Sequence, residues 1–346
     1  MLRLRILPAG ALVLAFVMTV AAQEKKDTPA KDKKDTPTAD KKGGEAGSGP
    51  ASAFAWKFEK DKPFYQEMTT TTTQSMKVQG MDVNQVQKQT FYFKWTPLKQ
   101  DGDKWLLKQT IEGVKMNIDI AGNPISFDST NPTAGGTNTA LSEFFKALVG
   151  SEFQITLNPK TMKVEKVEGR EEFLKKLASA NQQMEGLLKK ILSDEALKQM
   201  ADPTFGVTPT ETKKPGETWQ NKVTLNLGPI GSYENTYTYT YKGKDEKNPK
   251  LEKIEVQVDL VYKAPTGEPE GLPFKIKSAD LKTKDKTPGT ILFNTETGRV
   301  ESMDLSQKLG GTLTIEIGGN TSTVELQQEQ TTSVKTSDKS FLAEKK

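Results

Sequence analysis

Two hydrophobic periods share this chain. Most of it places apolar side chains at every second residue, whereas one stretch, Asn138 to Asp202, places them at every third and fourth. In TNTALSEFFKALVG the residues Leu141, Phe144, Phe145 and Leu148 form one stripe behind a polar start at Asn138 or Thr139. Gly150 stands where a left-handed terminating residue belongs. A second helix is predicted from about Arg170 to Ala180, with Phe173, Leu174 and Leu177 on one face. Its first turn carries Glu171 and Glu172, at the positive end of the helix dipole. Asn181 opens a third helix bearing Met184, Leu187, Leu188 and Ile191. Ser193 then reads as the N-cap of a short fourth, with Leu197 and Met200, closed before Pro203. None of these segments is apolar all round. Helices this short are marginal in water, so each must bury its stripe against another surface.

Inside that stretch the period drops to two. In SEFQITLNPKTMKVEKVEG, Phe153, Ile155 and Leu157 alternate, an Asn-Pro turn follows, and Met162 and Val164 alternate again. This is a hairpin, and it ties the helical segment to a sheet.

Strand patterns lie on both sides. From Ala51 onward, Phe54, Trp56 and Phe58 share one parity, and the five threonines 69–73 suit a half-exposed extended strand. QTFYFKW puts Phe91, Phe93 and Trp95 on one face, and after an Asp101-Gly102 turn the alternation resumes through Val114, Met116, Ile118 and Ile120. DSTNPTAGGTN is a loop into the first helix. Beyond the helices, Trp219 leads into Val223, Leu225 and Leu227, and a Gly-Pro-Ile-Gly turn precedes Tyr233, Tyr237, Tyr239 and Tyr241. A tyrosine stripe invites stacking on a sugar. Its period of two favours the plainer account: β-propensity and cross-strand packing explain it without a ligand. Ile254 to Tyr262 forms a further strand, and NTETG at 294–298 fits a tight hairpin turn with glycine left-handed.

The halves are weakly alike: FQITLNPKTMKVEKVEG and TILFNTETGRVESMDLS share an aromatic strand, an Asn-led turn and a Val after it. A duplication with halves 51–169 and 205–337 about the helical segment 138–202 is one reading. One continuous curved sheet and two domains both accommodate it.

The N-terminus changes the setting. Arg3 and Arg5 precede an apolar run that ends in Ala21 and Ala22, the pattern of a secretory signal peptide over 1–22. Residues 23–50 repeat KKDTP and hold no large apolar side chain, which predicts a disordered tether. The β-rich domain is then expected over 51–337, with a flexible tail at 338–346. No later segment approaches a membrane span. The formal charge of +4 falls to +1 once Arg3, Arg5 and the tether's surplus of one lysine are set aside. A chain so nearly neutral carries no footprint for nucleic acid.

Composition removes most chemistry. With no cysteine and no histidine, disulfides, thiolate catalysis, Ser/His/Asp systems and the familiar zinc motifs are excluded. No P-loop and no GxGxxG between strand and helix occurs. Three carboxylate pairs remain, Glu171/Glu172, Asp194/Glu195 and Glu268/Glu270, and the first two already sit at helix starts. Only Arg170 and Arg299 survive removal of the leader, and neither forms an anion clamp. No catalytic residue, metal ligand or cofactor is expected.

Leader, tether, meander, FQITLNPKTMKVEKVEG within a helical segment, PGETW opening a second meander, and NTETGRV together resemble an uncharacterised secreted bacterial family. It is of planctomycete type and known only as a domain of unknown function. More remotely, the arrangement is similar to the lipoprotein-carrier folds, in which an antiparallel sheet curls into an incomplete barrel plugged by helices. The resemblance implies an α+β, mostly β fold, a large curved antiparallel sheet with the central helical segment on its concave side. It also implies an acyl-binding space lined by Phe144, Phe145, Leu148, Leu187, Leu188 and Ile191.

Two functional readings follow. One is a non-enzymatic exported protein, in the periplasm, envelope or outside, holding a lipid or amphiphile between sheet and helices. The other is an envelope module that binds protein or polysaccharide, its helix stripes forming a filled core. The oligomeric state is not legible from the sequence.

Overall fold

The computed structural model describes residues 50–78, 80–131, 139–180, 182, 185–266, 272 and 274–342. The predicted leader, almost all of the tether, Asn138, Asn181, Met184, the Glu268/Glu270 pair and residues 343–346 lie outside these. So do the side chains of Leu141, Ile191 and Met200.

Among the described residues, thirteen strands form one continuous, wholly antiparallel sheet. They are β1 (Phe64–Val78), β2 (Met81–Asp101), β3 (Lys104–Ile120), β4 (Asn123–Asp128), β5 (Glu152–Asn158), β6 (Lys163–Glu168) and β7 (Thr218–Asn226). The remainder are β8 (Ser232–Lys244), β9 (Leu251–Lys263), β10 (Lys275–Asp285), β11 (Gly289–Asn294), β12 (Arg299–Ile317) and β13 (Asn320–Ser337). The helices are α1 (Thr139–Leu148), α2 (Arg170–Ala180), α3 (Glu185–Ile191) and α4 (Asp194–Phe205). The fold is α+β and mostly β, as the periods predict.

The strand order is β6-β5-β3-β2-β1-β13-β12-β10-β9-β8-β7, so the first and last of these strands meet at the centre, where β1 pairs with β13. Two lanes are shared. Strand β3 pairs with β4 through 115–120 and with β5 through 105–110, and α1 is inserted between those partners. Likewise β10 and β11 lie end to end between β9 and β12. Where that lane breaks, the Thr283 hydroxyl accepts the Leu260 amide at 2.6 Å and replaces a ladder bond. The likeness between halves therefore sits inside one sheet.

The sheet curls. Strands β6 and β7 are its two ends, do not pair, and both pack against α4, which spans the seam. Arg170 begins α2, and Lys176 from its later turns donates to the Val149 carbonyl at 2.7 Å, binding α2 to the end of α1. Turn chemistry follows the sequence closely. Gly150 (φ 72°) ends α1 and Gly298 (φ 64°) closes the β11–β12 turn, both in the left-handed region that favours glycine. The Ser193 hydroxyl accepts the Ala196 amide at 3.1 Å, the N-cap bond of α4.

Two local expectations differ. Residues 51–58 are not a strand but a crossing segment held by a lone bridge, Ser52 to Lys213, and by the Lys57 amide donating to the Gly298 carbonyl. Phe54 and Trp56 are buried, so the segment's alternation reflects core packing without a ladder. Helix α4 also runs past Pro203 to Phe205. Phe205 is fully buried and its carbonyl accepts the Trp56 indole at 3.1 Å, so tertiary anchoring overrides a local penalty of about 3 kcal/mol.

At the other terminus, residues 338–342 lie on the outer face. Asp338 pairs with Arg299 at 2.8 Å, and Ser340 donates to Glu112 at 2.8 Å.

Candidate functional site

The inward faces carry two apolar clusters. One holds Phe64, Trp95, Ile111, Phe145, Leu177 and Phe205; the other holds Met76, Leu225, Tyr233, Leu281, Leu313 and Leu326. Across the centre of the sheet a polar band separates them, and the strand registers define it row by row. One row runs Gln89, Thr70, Thr332; the next runs Gln87, Thr72, Gln330, Gln307; the third runs Gln85, Gln74, Gln328. All ten side chains lie on one face of β2, β1, β13 and β12, since strand side chains repeat with period two. Here the usual pattern is inverted: Gln85 and Gln87 are 1% exposed, and Val86 between them is 48% exposed. Asn235 on β8 stands at the same level, between Tyr237 of one cluster and Tyr233 of the other.

The first row is bonded partly within itself and partly to the second. Thr70 and Thr332 share a hydroxyl contact at 3.5 Å, and Gln87 donates to Gln89 at 3.2 Å. Deeper in the band the pairing persists along β2, where Gln85 donates to Gln87 at 3.5 Å, and fails elsewhere. Both amide atoms of Gln74, Gln330 and Asn235 and the Thr72 hydroxyl are buried without a hydrogen-bond partner. Such groups cost stability unless something satisfies them.

Directly against the first row lies a cavity of about 230 Å³. The next row along the same strands, Phe91, Met68, Val334 and Met303, forms one wall with Phe93. Tyr237, Tyr239, Val256 and Ile291 face it from the sheet's other arm. Leu148 of α1, Phe173 of α2, Leu192 after α3, and Leu197 and Thr204 of α4 cover it. Phe91, Phe93, Met68 and Met303 point inward yet are only half-buried, so this apolar wall is not fully packed. Among the described residues, none that lines it carries a charge. Burial pushes the Tyr239 phenol well above its ordinary range, so it is a neutral group at any physiological pH.

Of the residues implied by the carrier resemblance, Leu148 lines the cavity. Phe144, Phe145 and Leu188 are buried in the larger cluster, where Phe145 stacks on Phe127 at 5.5 Å; Leu187 joins the smaller one, beside Leu225 and Ile230. Ile191 ends α3, with its side chain outside the description. Sequence reasoning missed the glutamine band and the Phe91–Phe93 wall's role. The signal was present: positions 85, 87 and 89 share the parity of Phe91, and 328, 330 and 332 share that of Leu326.

Elsewhere, the acidic pairs at 171/172 and 194/195 lie at helix starts, and Glu171 and Asp194 both face Arg170. Among the described residues no group of three or more metal-ligating side chains comes together, and no helix is long and apolar enough to cross a membrane.

Fold and cavity define a curled antiparallel sheet closed over an apolar chamber by short helices. Residues 102–300 match the family described as "Family of unknown function (DUF6263)", and the chain belongs to it. No curated protein matches the sequence. Among solved structures, one described as "lipid-protein interactions in lipovitellin" is similar at 10% identity and TM-score 0.35, covering 79% of this chain and 25% of that one. The chain thus spans about a quarter of that protein's length. DynF, from the dynemicin biosynthesis pathway of Micromonospora chersina, is similar at 7% identity and TM-score 0.16, over 89% and 94% of the two chains. Pseudomonas aeruginosa OccK5 (OpdH) gives 6%, 0.21, 80% and 98% in the same terms. Likenesses this slight say nothing about ligand or activity.

Proposed function

We propose that the protein is a non-enzymatic binding protein that holds an amphiphile in the chamber between sheet and helices. The carrying observation is the half-buried inward wall of Phe91, Phe93, Met68 and Met303. Apolar surface left in contact with water forgoes roughly 25 cal/mol per Å², and a hydrocarbon chain would recover it. An uncharged, mostly apolar lining, whose hydroxyls belong to threonine and tyrosine side chains, suits holding a ligand. The leader pattern at 1–22 and the tether support a place in the periplasm, the envelope or outside the cell. A filled-core interaction module, the competing reading, would need no such chamber.

Native mass spectrometry of the purified protein, before and after organic extraction, tests this. A releasable amphiphile is expected, as is its loss in Leu192→Trp, which fills the chamber from the helical side while circular dichroism stays unchanged. Protein that copurifies with no amphiphile, and takes up none when monolaurin or laurate is added, overturns the reading.

A further inference from the structure

We propose that the glutamine–threonine band selects amphiphiles whose polar group is uncharged and both donates and accepts hydrogen bonds, such as an amide, a hydroxyl or a glyceryl ester. Thr72, Gln74 and Gln330 are its specificity-determining residues. The proposal deepens the binding reading and rests on it.

The geometry supplies the argument. The cavity ends against Gln89, Thr70 and Thr332; Thr70 and Thr332 share a hydroxyl contact, and Gln89 accepts from Gln87 of the next row. One repeat further along the strands, about 7 Å by strand geometry, Gln87, Thr72, Gln330 and Gln307 make the next row. Here Thr72 is 1% exposed and Gln330 3%, and neither has a partner for its side-chain polar atoms. Gln74, 1% exposed, repeats the condition in the row beyond. A primary amide offers both N–H donors and carbonyl lone pairs, so these side chains demand a partner that does both. A chain lying along Phe91 and Met68 would bring its polar end up to Gln89, Thr70 and Thr332, and would reach the row of Thr72 and Gln330 once those side chains part.

Charge decides against ionised head groups. None of the described lining or band residues is charged, so against them a carboxylate or ammonium would lose its hydration without gaining a counter-ion. The buried carboxylate of Glu252 lies on β9 and is already engaged by the Tyr241 hydroxyl at 2.5 Å and Lys244 at 2.7 Å.

The test is a matched dodecyl series at neutral pH: monolaurin and lauramide, which are neutral, laurate, and dodecylammonium. Each displaces an environment-sensitive dye from the purified protein. The neutral pair should bind at least about tenfold more tightly than either ion, ~1.4 kcal/mol. In the double variant Thr72→Val/Gln330→Leu the preference should collapse while dodecyl binding persists. Gln74→Leu, in the row beyond, serves as the second variant should the double variant not fold, and the preference should weaken in it too. Equal binding of all four ligands to the natural protein overturns this inference and leaves the binding function standing. Binding of none overturns both. A preference that survives in the folded variants overturns the assignment of these residues.

Discussion

The Arg170 guanidinium donates from Nε to the main-chain carbonyl of Leu192 at 2.5 Å. A second nitrogen donates to the Lys189 carbonyl at 2.9 Å, and the group also pairs with Glu171 and, at 3.5 Å, with Asp194. One side chain thus joins the start of α2, the end of α3 and the start of α4. Because Leu192 lines the chamber, this clamp also positions part of the chamber wall. Carbonyls at a helix C-terminus carry partial negative charge, which is why a fixed cation suits the place.

Arg170→Met should therefore lower stability by about 2 kcal/mol, read by urea denaturation. Arg170→Lys should restore only part of this, because an ammonium lacks the planar fork that reaches two carbonyls at once. Full rescue by lysine would show that charge alone matters there.

The unpartnered band makes the opposite prediction. Gln74→Leu keeps the side-chain volume similar and removes two buried, unsatisfied amide atoms. It should raise the thermal midpoint of ligand-free protein, by about 1–2 kcal/mol in stability. A destabilised variant would mean that the amide is well bonded within the folded protein.

Gly311 tests the β10–β12 register. It has φ 148°, and a Cβ there would lie 1.8 Å from the Asp280 carbonyl oxygen, which is backbone and cannot swing aside. Gly311→Ala should cost roughly 2–4 kcal/mol, from the clash and the strained dihedral together. Gly80, with nothing near its own missing Cβ but a φ of 82°, should lose less on the same change. Chemical denaturation of the two variants side by side measures the difference.

Alkaline titration addresses the tyrosines. Burial, then Glu67, pushes Tyr92 up to about 12, and burial, then a hydrogen bond to Glu252, pushes Tyr241 up to about 12. Burial raises Tyr233, Tyr239 and Tyr262 further still. A folded pKa above the unfolded one contributes stability that is complete below the unfolded value near 10 and is lost as pH rises towards the folded value. Stability should accordingly be flat up to about pH 10 and fall between about 10 and 12. Phenolate absorbance should show these five ionising with unfolding. Their titration near 10 in a protein still folded by circular dichroism would refute it.

Much of the architecture was legible in local pattern. Alternation located β2, β3, β8, β9 and the hairpins, and the three-and-four spacing located α1 and α2. Short strand β4 was missed because NPISFD carries a proline and only weak alternation. Residues 51–58 misled for the reverse reason: their aromatic alternation is real, but Phe54 and Trp56 enter the core from a segment with almost no ladder bonds. The apolar helix stripes drew attention to Phe144, Phe145 and Leu187, which fill clusters. Most of the chamber wall comes instead from the strands.

By itself the sequence determined the elements, their turns, and which side chains share a face. Those properties are local, set by backbone period, by glycine's access to positive φ, and by the donors that a serine or asparagine offers at a cap. Only the tertiary structure decided that β1 closes on β13, that β4 with β5 and β10 with β11 share lanes, and that α4 bridges the sheet's two ends. It alone aligned Gln87, Thr72, Gln330 and Gln307 into one row. Parity fixes a residue's face within its own strand, whereas the register that sets strands side by side depends on contacts far apart in sequence. Glutamines that stand out in no single strand form, once paired across four, the polar centre of the interior.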